Sequence, residues 1–403
     1  MRLILTVAAF GALTTVGTAA QAQQLKPIAD ARLRYEHVDQ DGVPEEANAL
    51  TFRLRAGAEL AAGDWSFLGE IEGTSALSER YDSGLNGKTQ YPIVADPENI
   101  ELNRLQLQYR GLPGTTVTLG RQRINIEDQR FVGAAAWRQN EQTFDALRVE
   151  SKPIGNVKLD LTYSWSVRTI WGVDGAGARQ QAIGGNNVFA IVSYPTPAGT
   201  LSGFAFLVDQ DEATVQGYRL SNQTYGLRLA GSRPIATGAK ISYALSFAQQ
   251  SDFSRNPNDY SADYWLAEFG AELGAFKLGV GHERLGGGDG TPLTSFQTPL
   301  ATLHKFQGWA DKFLTTPPNG IRDWYGSVGY GWKGVLGLDS VNASATYHRF
   351  GSDRLRQHYG SEWDAQLAAR KGRWTATAKL AVYEANQFAI DTSKFWLQLE
   401  WAY

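Results

Sequence analysis

Cysteine is absent from the 403-residue sequence, and the one methionine is Met1. Neither a disulfide framework nor a thiolate metal site can form without it. The five histidines, His37, His282, His304, His348 and His358, lie too far apart in sequence to give a metal-ligand spacing. No metal and no cofactor are expected. Long apolar runs are also missing, since nothing after the first twenty residues approaches the ~20 apolar residues of a spanning helix. Neither sign of charge dominates. Lys and Arg total 38 against 41 Asp and Glu, and the formal charge of −3 argues against a nucleic-acid partner.

What is present starts at the N-terminus. Arg2 precedes an apolar run over residues 3–20, and Ala20-Gln21-Ala22 fits the small-x-small rule for signal peptidase. Residues 1–22 are expected to be a signal peptide cleaved before Gln23, leaving residues 23–403 as a single domain. At the other end Phe395, Leu397, Leu399, Trp401 and Tyr403 alternate with residues that include Gln398 and Glu400. A two-residue period makes a strand with one greasy and one wet face. Outer-membrane barrels commonly end on such a strand with a terminal aromatic residue.

The alternation recurs along the chain. Leu50, Phe52, Leu54, Ala56 and Ala58 alternate with Thr51, Arg53, Arg55 and Gly57, and Val157 to Trp165 repeats the pattern. Strands are predicted near 28–38, 49–60, 65–75, 101–111, 115–124, 143–151, 156–168, 187–195, 200–209, 223–231, 239–249, 262–273, 275–284, 322–332, 339–350, 361–371, 373–384 and 393–403. The even-numbered connections are short (61–64, 112–114, 152–155, 196–199, 274 and 372), whereas odd-numbered ones such as 76–100, 125–142 and 285–321 are long. Short periplasmic turns alternating with long external loops are the asymmetry of outer-membrane barrels. In hydrocarbon every backbone N–H and C=O must be paired, which selects a closed sheet. The expected fold is therefore all-β, a transmembrane antiparallel up-and-down β-barrel of about 18 strands, with 16 as the alternative. It would sit in the outer membrane of a Gram-negative bacterium against lipid and lipopolysaccharide, with periplasmic assembly partners. A barrel of this width leaves an aqueous channel.

Period-two phase places Arg32, Arg34, Arg53, Arg55, Arg104 and Arg110 inside, together with Asp30, Glu36, Glu59, Glu70 and Glu72. Two readings stand. One is a solvated lumen laced with ion pairs. The other is a rail for anions, because guanidinium forks hold carboxylates bidentately and stay charged.

Further residues carry a resemblance. The stretch Leu119-Gly120-Arg121-Gln122-Arg123, Glu127-Asp128-Gln129-Arg130, Trp137-Arg138-Gln139-Asn140 and Phe144-Asp145-Ala146-Leu147-Arg148 resembles the signature segment of the alginate-export outer-membrane family. Residues 298–313, and 347–350 followed by 359–364, are similar to other parts of that family. The resemblance implies an eighteen-strand channel, not an enzyme, that passes an acidic, alginate-like polysaccharide or its oligomers. It also implies that Arg121, Arg123, Arg130, Arg138 and Arg148 line the lumen or its constriction. A general or aromatic-acid uptake porin for a small organic anion is the alternative.

Loop 285–321 is too long to be a mere tie. His304, Lys305, Trp309 and Lys312 give it apolar anchors and positive charge, so it is expected to fold into the pore mouth. Gly286 to Gly290 lacks the strand–loop–helix context of a phosphate loop. Asp39, Asp41, Glu45 and Glu46 read as an acidic surface loop rather than a Ca²⁺ site. A barrel hydrolase (lipase or protease) would have to use His348 with Ser344 or Thr346, and no orienting partner is recognisable in the sequence.

Overall fold

The computed structural model describes residues 24–175, 179–211 and 217–403, so the expected signal peptide lies outside the described residues. The described residues form eighteen strands in one sheet. They are β1 (Gln24–Gln40), β2 (Ala47–Ala62), β3 (Trp65–Arg80), β4 (Asn99–Leu112), β5 (Thr115–Gln122) and β6 (Thr143–Ser151). Next come β7 (Lys158–Arg168), β8 (Ala182–Thr196), β9 (Gly199–Val208), β10 (Asn222–Ala236), β11 (Ala239–Asp252) and β12 (Ser261–Leu273). The last are β13 (Phe276–Leu285), β14 (Ile321–Lys333), β15 (Ser340–Gly351), β16 (His358–Lys371), β17 (Trp374–Ala385) and β18 (Thr392–Ala402). Each pairs antiparallel with its chain neighbours, and β1 closes on β18 from Asp30 opposite Ala402 to Gln40 opposite Thr392. Closure removes the sheet edges that hydrocarbon would leave unpaired.

Every expected strand is present, but several run further at the long-loop end. β3 reaches Arg80 and β8 starts at Ala182. Beyond the bilayer a hairpin needs backbone pairing but no outward apolar residue, so alternation fades before the strand does. The other end is tight. The turn after β12 uses Gly274 at φ +62°, and that after β16 uses Gly372 at φ +56°, left-handed backbone that glycine adopts without strain.

The two faces follow the pleat. Leu54, Leu105, Leu161, Leu245 and Leu397 point outward and are exposed on the isolated chain. Two aromatic levels bound this band. Trp65 on Tyr109 (4.5 Å) and Phe276 on Tyr330 (4.6 Å) lie by the short turns, whereas Phe247 on Trp265 (4.6 Å) and Tyr347 on Trp363 (4.8 Å) lie towards the loops. Amphipathic rings favour the two interfaces.

The interior is not uniformly polar as expected. On β8, β9, β11 and β12 the inward residues Phe189, Ile191, Phe204, Phe206, Ala244, Ala248, Tyr264 and Leu266 make an apolar sector. Two connections fold inward onto it, residues 123–142 and 286–320. Phe131 of the first packs on Phe204, Phe206, Tyr264 and Phe296, with ring centroids 5.2–5.9 Å apart. Each such ring buried from water contributes roughly 1.5–3 kcal/mol. The loops also bond to each other, Gly133 N donating to Leu300 O at 2.9 Å and Thr302 N to Gln129 O at 3.1 Å.

The assignment of faces predicts a depth-dependent cost for a lipid-facing charge. Leu397→Arg, at mid-strand, should destabilise the barrel in vesicles by about 2–4 kcal/mol, and Leu60→Arg, near the short-turn interface, by about 0–1 kcal/mol. Denaturant titration in lipid measures both; equal costs would contradict the placement.

Candidate solute passage

The two inward loops meet the basic wall of β18, β1 and β2. Alternation on β1 sends Arg32 and Arg34 inward between outward Leu33 and Tyr35, and Arg32 lies directly opposite Arg53 of β2. Like charges so placed repel, and carboxylates separate them. Arg32 Nε donates to Glu400 Oε1 at 2.5 Å, Arg53 pairs with Asp30, and Arg55 with Glu72. Arg32 and Arg34 also serve the 123–142 loop. Arg32 Nη1 donates to Trp137 O at 3.0 Å and Arg34 Nη2 to the same oxygen at 2.5 Å, while the Arg34 guanidinium covers the Trp137 ring at 4.1 Å. These two residues therefore hold loop backbone rather than presenting free forks to a solute.

Asp311 is the crossing point. Its carboxylate accepts from Arg138 of the other loop at 2.8 Å, from Lys394 of β18 at 2.9 Å and from His304 Nδ1 at 2.9 Å. Burial would raise this carboxyl, but Lys394, His304 and Arg138 hold it well below the ordinary carboxylate range. His304 also receives a hydrogen bond from Lys379 Nζ through Nε2 at 2.9 Å, which assigns the ring proton to Nδ1. Burial and the neighbouring Lys379 push the imidazole well below its usual value. The His304 ring stacks on Trp137 at 4.7 Å, and the Lys379 ammonium sits 3.9 Å from the Trp137 ring and 3.6 Å from that of Trp309. Backbone amides of this segment dock on β16, Ala310 N donating to Glu362 Oε1 at 2.7 Å and Trp309 N to Asp364 Oδ2 at 3.3 Å.

The remaining sequence candidates divide. Arg130 is fully buried, donates to Glu283 at 2.6 Å and Thr298 at 2.9 Å, and fixes the first loop against β13. Arg123 grips Glu141 bidentately at 2.8 and 2.5 Å, Arg104 grips Glu70, and Arg148 grips Asp160 near the short-turn end. Asn103 and Arg104 both reach Glu70 because β4 carries a register shift there. Arg110 is exposed at the short-turn end beside Gln108. Lys305 donates to Asp128 O at 2.7 Å and Lys312 to Gln40 Oε1 at 3.0 Å; burial brings the Lys312 ammonium down to about 8. Arg121 corrects the expectation. It lies opposite Leu105 and Asp145, on the same strand face as outward Leu119, so its bidentate pair with Asp145 (2.8 and 3.0 Å) faces out of the barrel.

Sequence reasoning missed Lys379 and Lys394 as site residues, although both are inward lysines on strands of correct phase. It also missed the orienting partner of His348. Asp323 accepts from Nδ1 at 2.9 Å, but the other ring nitrogen faces Asp364 at 3.7 Å rather than Ser344 or Thr346.

Acid should loosen the loops. The unfolded segment protonates His304 below about pH 6.5 and the folded one does not, so this stabilisation is complete above that pH and declines as pH falls. Asp311 adds a second loss as pH falls through its depressed value. Single-channel current noise should grow from pH 7.5 to pH 5 in the parent, and its onset near pH 6.5 should vanish in His304→Gln. Noise independent of pH would contradict the assignment.

The alginate export family matches residues 25–251. No curated protein matches the chain. Among solved structures, the fold is similar to a BenF-like porin from Pseudomonas fluorescens Pf-5, with 15% identity, a TM-score of 0.69, and coverage of 94% of this chain and 99% of that one. Pseudomonas aeruginosa OccK2 (OpdF), solved in complex with glucuronate, gives 14%, 0.64, and 93% and 98%. Pseudomonas aeruginosa OpdK, solved with vanillate, gives 12%, 0.65, and 94% and 98%. With over half of its length matched and an eighteen-strand sheet closed for a bilayer, this chain belongs to the alginate export family and forms an outer-membrane channel.

Proposed function

We propose that the channel passes small carboxylate solutes, monomeric uronates or aromatic acids, one at a time through the lumen that the two inward loops restrict. The observation that carries this reading is Arg53. Its side chain is 1% exposed, Asp30 takes one Nη group, and Nε and the other Nη have no bonding partner. Buried donors left unpaired are costly, and a carboxylate presents the acceptor geometry that satisfies a guanidinium fork. An unpaired Nη group on Arg55, two residues along β2, adds a second such donor on the same wall. Towards the short turns a cavity of about 470 Å³ opens, lined by Thr116, Asn125, Glu127, Lys158 and Asp160. That volume lies in the ordinary range for one small molecule. Structures of the same fold hold glucuronate in one case and vanillate in another, both small carboxylates.

The family match favours a second reading, an acidic polysaccharide or its oligomers. A polymer strand requires the paired 123–142 and 286–320 loops to swing off the apolar sector together, which exposes Phe131 and Phe296.

Arg53→Ser should reduce anion preference in planar bilayers and weaken block by glucuronate about tenfold, the equivalent of ~1.4 kcal/mol. Arg121→Ser, on the outward face, should change neither. Block by glucuronate that is unchanged in Arg53→Ser would overturn the assignment of Arg53.

A further inference from the structure

Beyond the lumen, β13, β14 and β15 carry an outward basic cluster close to their loop ends. Arg284 lies directly opposite Arg322, and Arg349 lies opposite Trp324, one diagonal step from Arg322. Among the described residues, two carboxylates stand within bonding distance of these three guanidiniums. Arg284 donates to Asp353 at 2.6 and 3.0 Å and to Asp263 at 2.8 Å, and Arg322 shares Asp353 at 3.0 Å. Arg322 keeps 42% of its side chain exposed. Arg349 is exposed and has no ion-pair partner among the described residues.

Phase and depth make this cluster unusual. Trp265, Trp324 and Trp363 are exposed around it on the same face, Trp324 stacked on His282 at 4.0 Å. These rings belong to the belt that marks the external interface. Cations on the lipid face are tolerated at that level but not deeper. Elsewhere this level holds neutral side chains, as with Gln223, Gln249 and Ser251 on β10 and β11, a closed pair such as Arg121 with Asp145, or the single acid Glu384 of β17, two strands from Arg349. Cross-strand arginines repel unless anions are supplied, and the carboxylates present serve Arg284 and half of Arg322.

We propose that Arg349, Arg322 and Arg284 form a binding site for a phosphorylated glycolipid of the outer leaflet, the lipid A portion of lipopolysaccharide. Its phosphate lies between the exposed guanidiniums of Arg349 and Arg322, which suit the bidentate geometry of phosphate oxygens. Trp324 and Trp363 flank the sugar, and the acyl chains run down the apolar band formed by Val280 and Val328. The site is independent of which solute crosses the lumen.

The test uses the full mature protein in detergent, with heat-modifiable migration confirming the folded barrel. Binding of bisphosphorylated lipid A is followed by native mass spectrometry. Arg349→Gln removes no ion pair of the folded chain and should weaken lipid A binding about tenfold, with Arg322→Gln acting in the same direction. Arg121→Gln should bind like the parent, and dephosphorylated lipid A should bind weakly to all. Parent-like binding by both Arg349→Gln and Arg322→Gln, or equal binding of dephosphorylated lipid A, would overturn the site. Displacement of lipid A by equimolar inorganic phosphate would overturn its assignment to a lipid.

Discussion

The buried Asp311 carboxylate draws together three parts of the chain that are far apart in sequence. Arg138 comes from the 123–142 loop, His304 from its own loop, and Lys394 from the wall strand β18. A charge taken out of water is expensive unless it is paired and hydrogen-bonded, and removing one partner leaves the others stranded. Loop position, Trp137 stacking and the docking of Trp309 and Ala310 on β16 all presuppose this node. The apolar sector on β8–β12 supplies the grip and Asp311 supplies the register.

This arrangement reconciles an arginine-rich lumen with a chain whose formal charge is −3. Nearly every inward guanidinium meets a carboxylate: Arg32 with Glu400, Arg55 with Glu72 and Glu141, Arg130 with Glu283, Arg148 with Asp160. The two sequence readings of the lumen, ion-pair lacing and anion rail, thereby become parts of one arrangement. Pairs hold the loops, and pairing leaves buried donors over, above all on Arg53. On the proposed reading such leftover donors bind weakly, which suits a channel that must also release its solute.

The strands were legible because an outward band facing hydrocarbon imposes a two-residue period that local sequence carries directly. Loop parity was legible for the same reason. The 286–320 loop announced its inward course through length and through Trp309 and Lys312. Which partner each arginine takes was not legible, since Arg32 meets Glu400 and Arg130 meets Glu283 only after closure. Nor was the apolar inner sector, because Phe204 and Phe206 alternate with Ala205 and Leu207, apolar residues that leave the two faces without contrast. Arg121 is different: its parity matches Leu119, so the outward placement was present in the sequence and family resemblance obscured it.

Loops clasped at Asp311 should admit one small anion and exclude a chain of them. Liposome swelling with the purified protein compares glucuronate with a hexameric uronate at equal osmolarity. Rapid entry of the monomer with negligible entry of the hexamer is the expected result. Entry of the hexamer at a rate near that of the monomer would contradict a passage set by the Asp311 node.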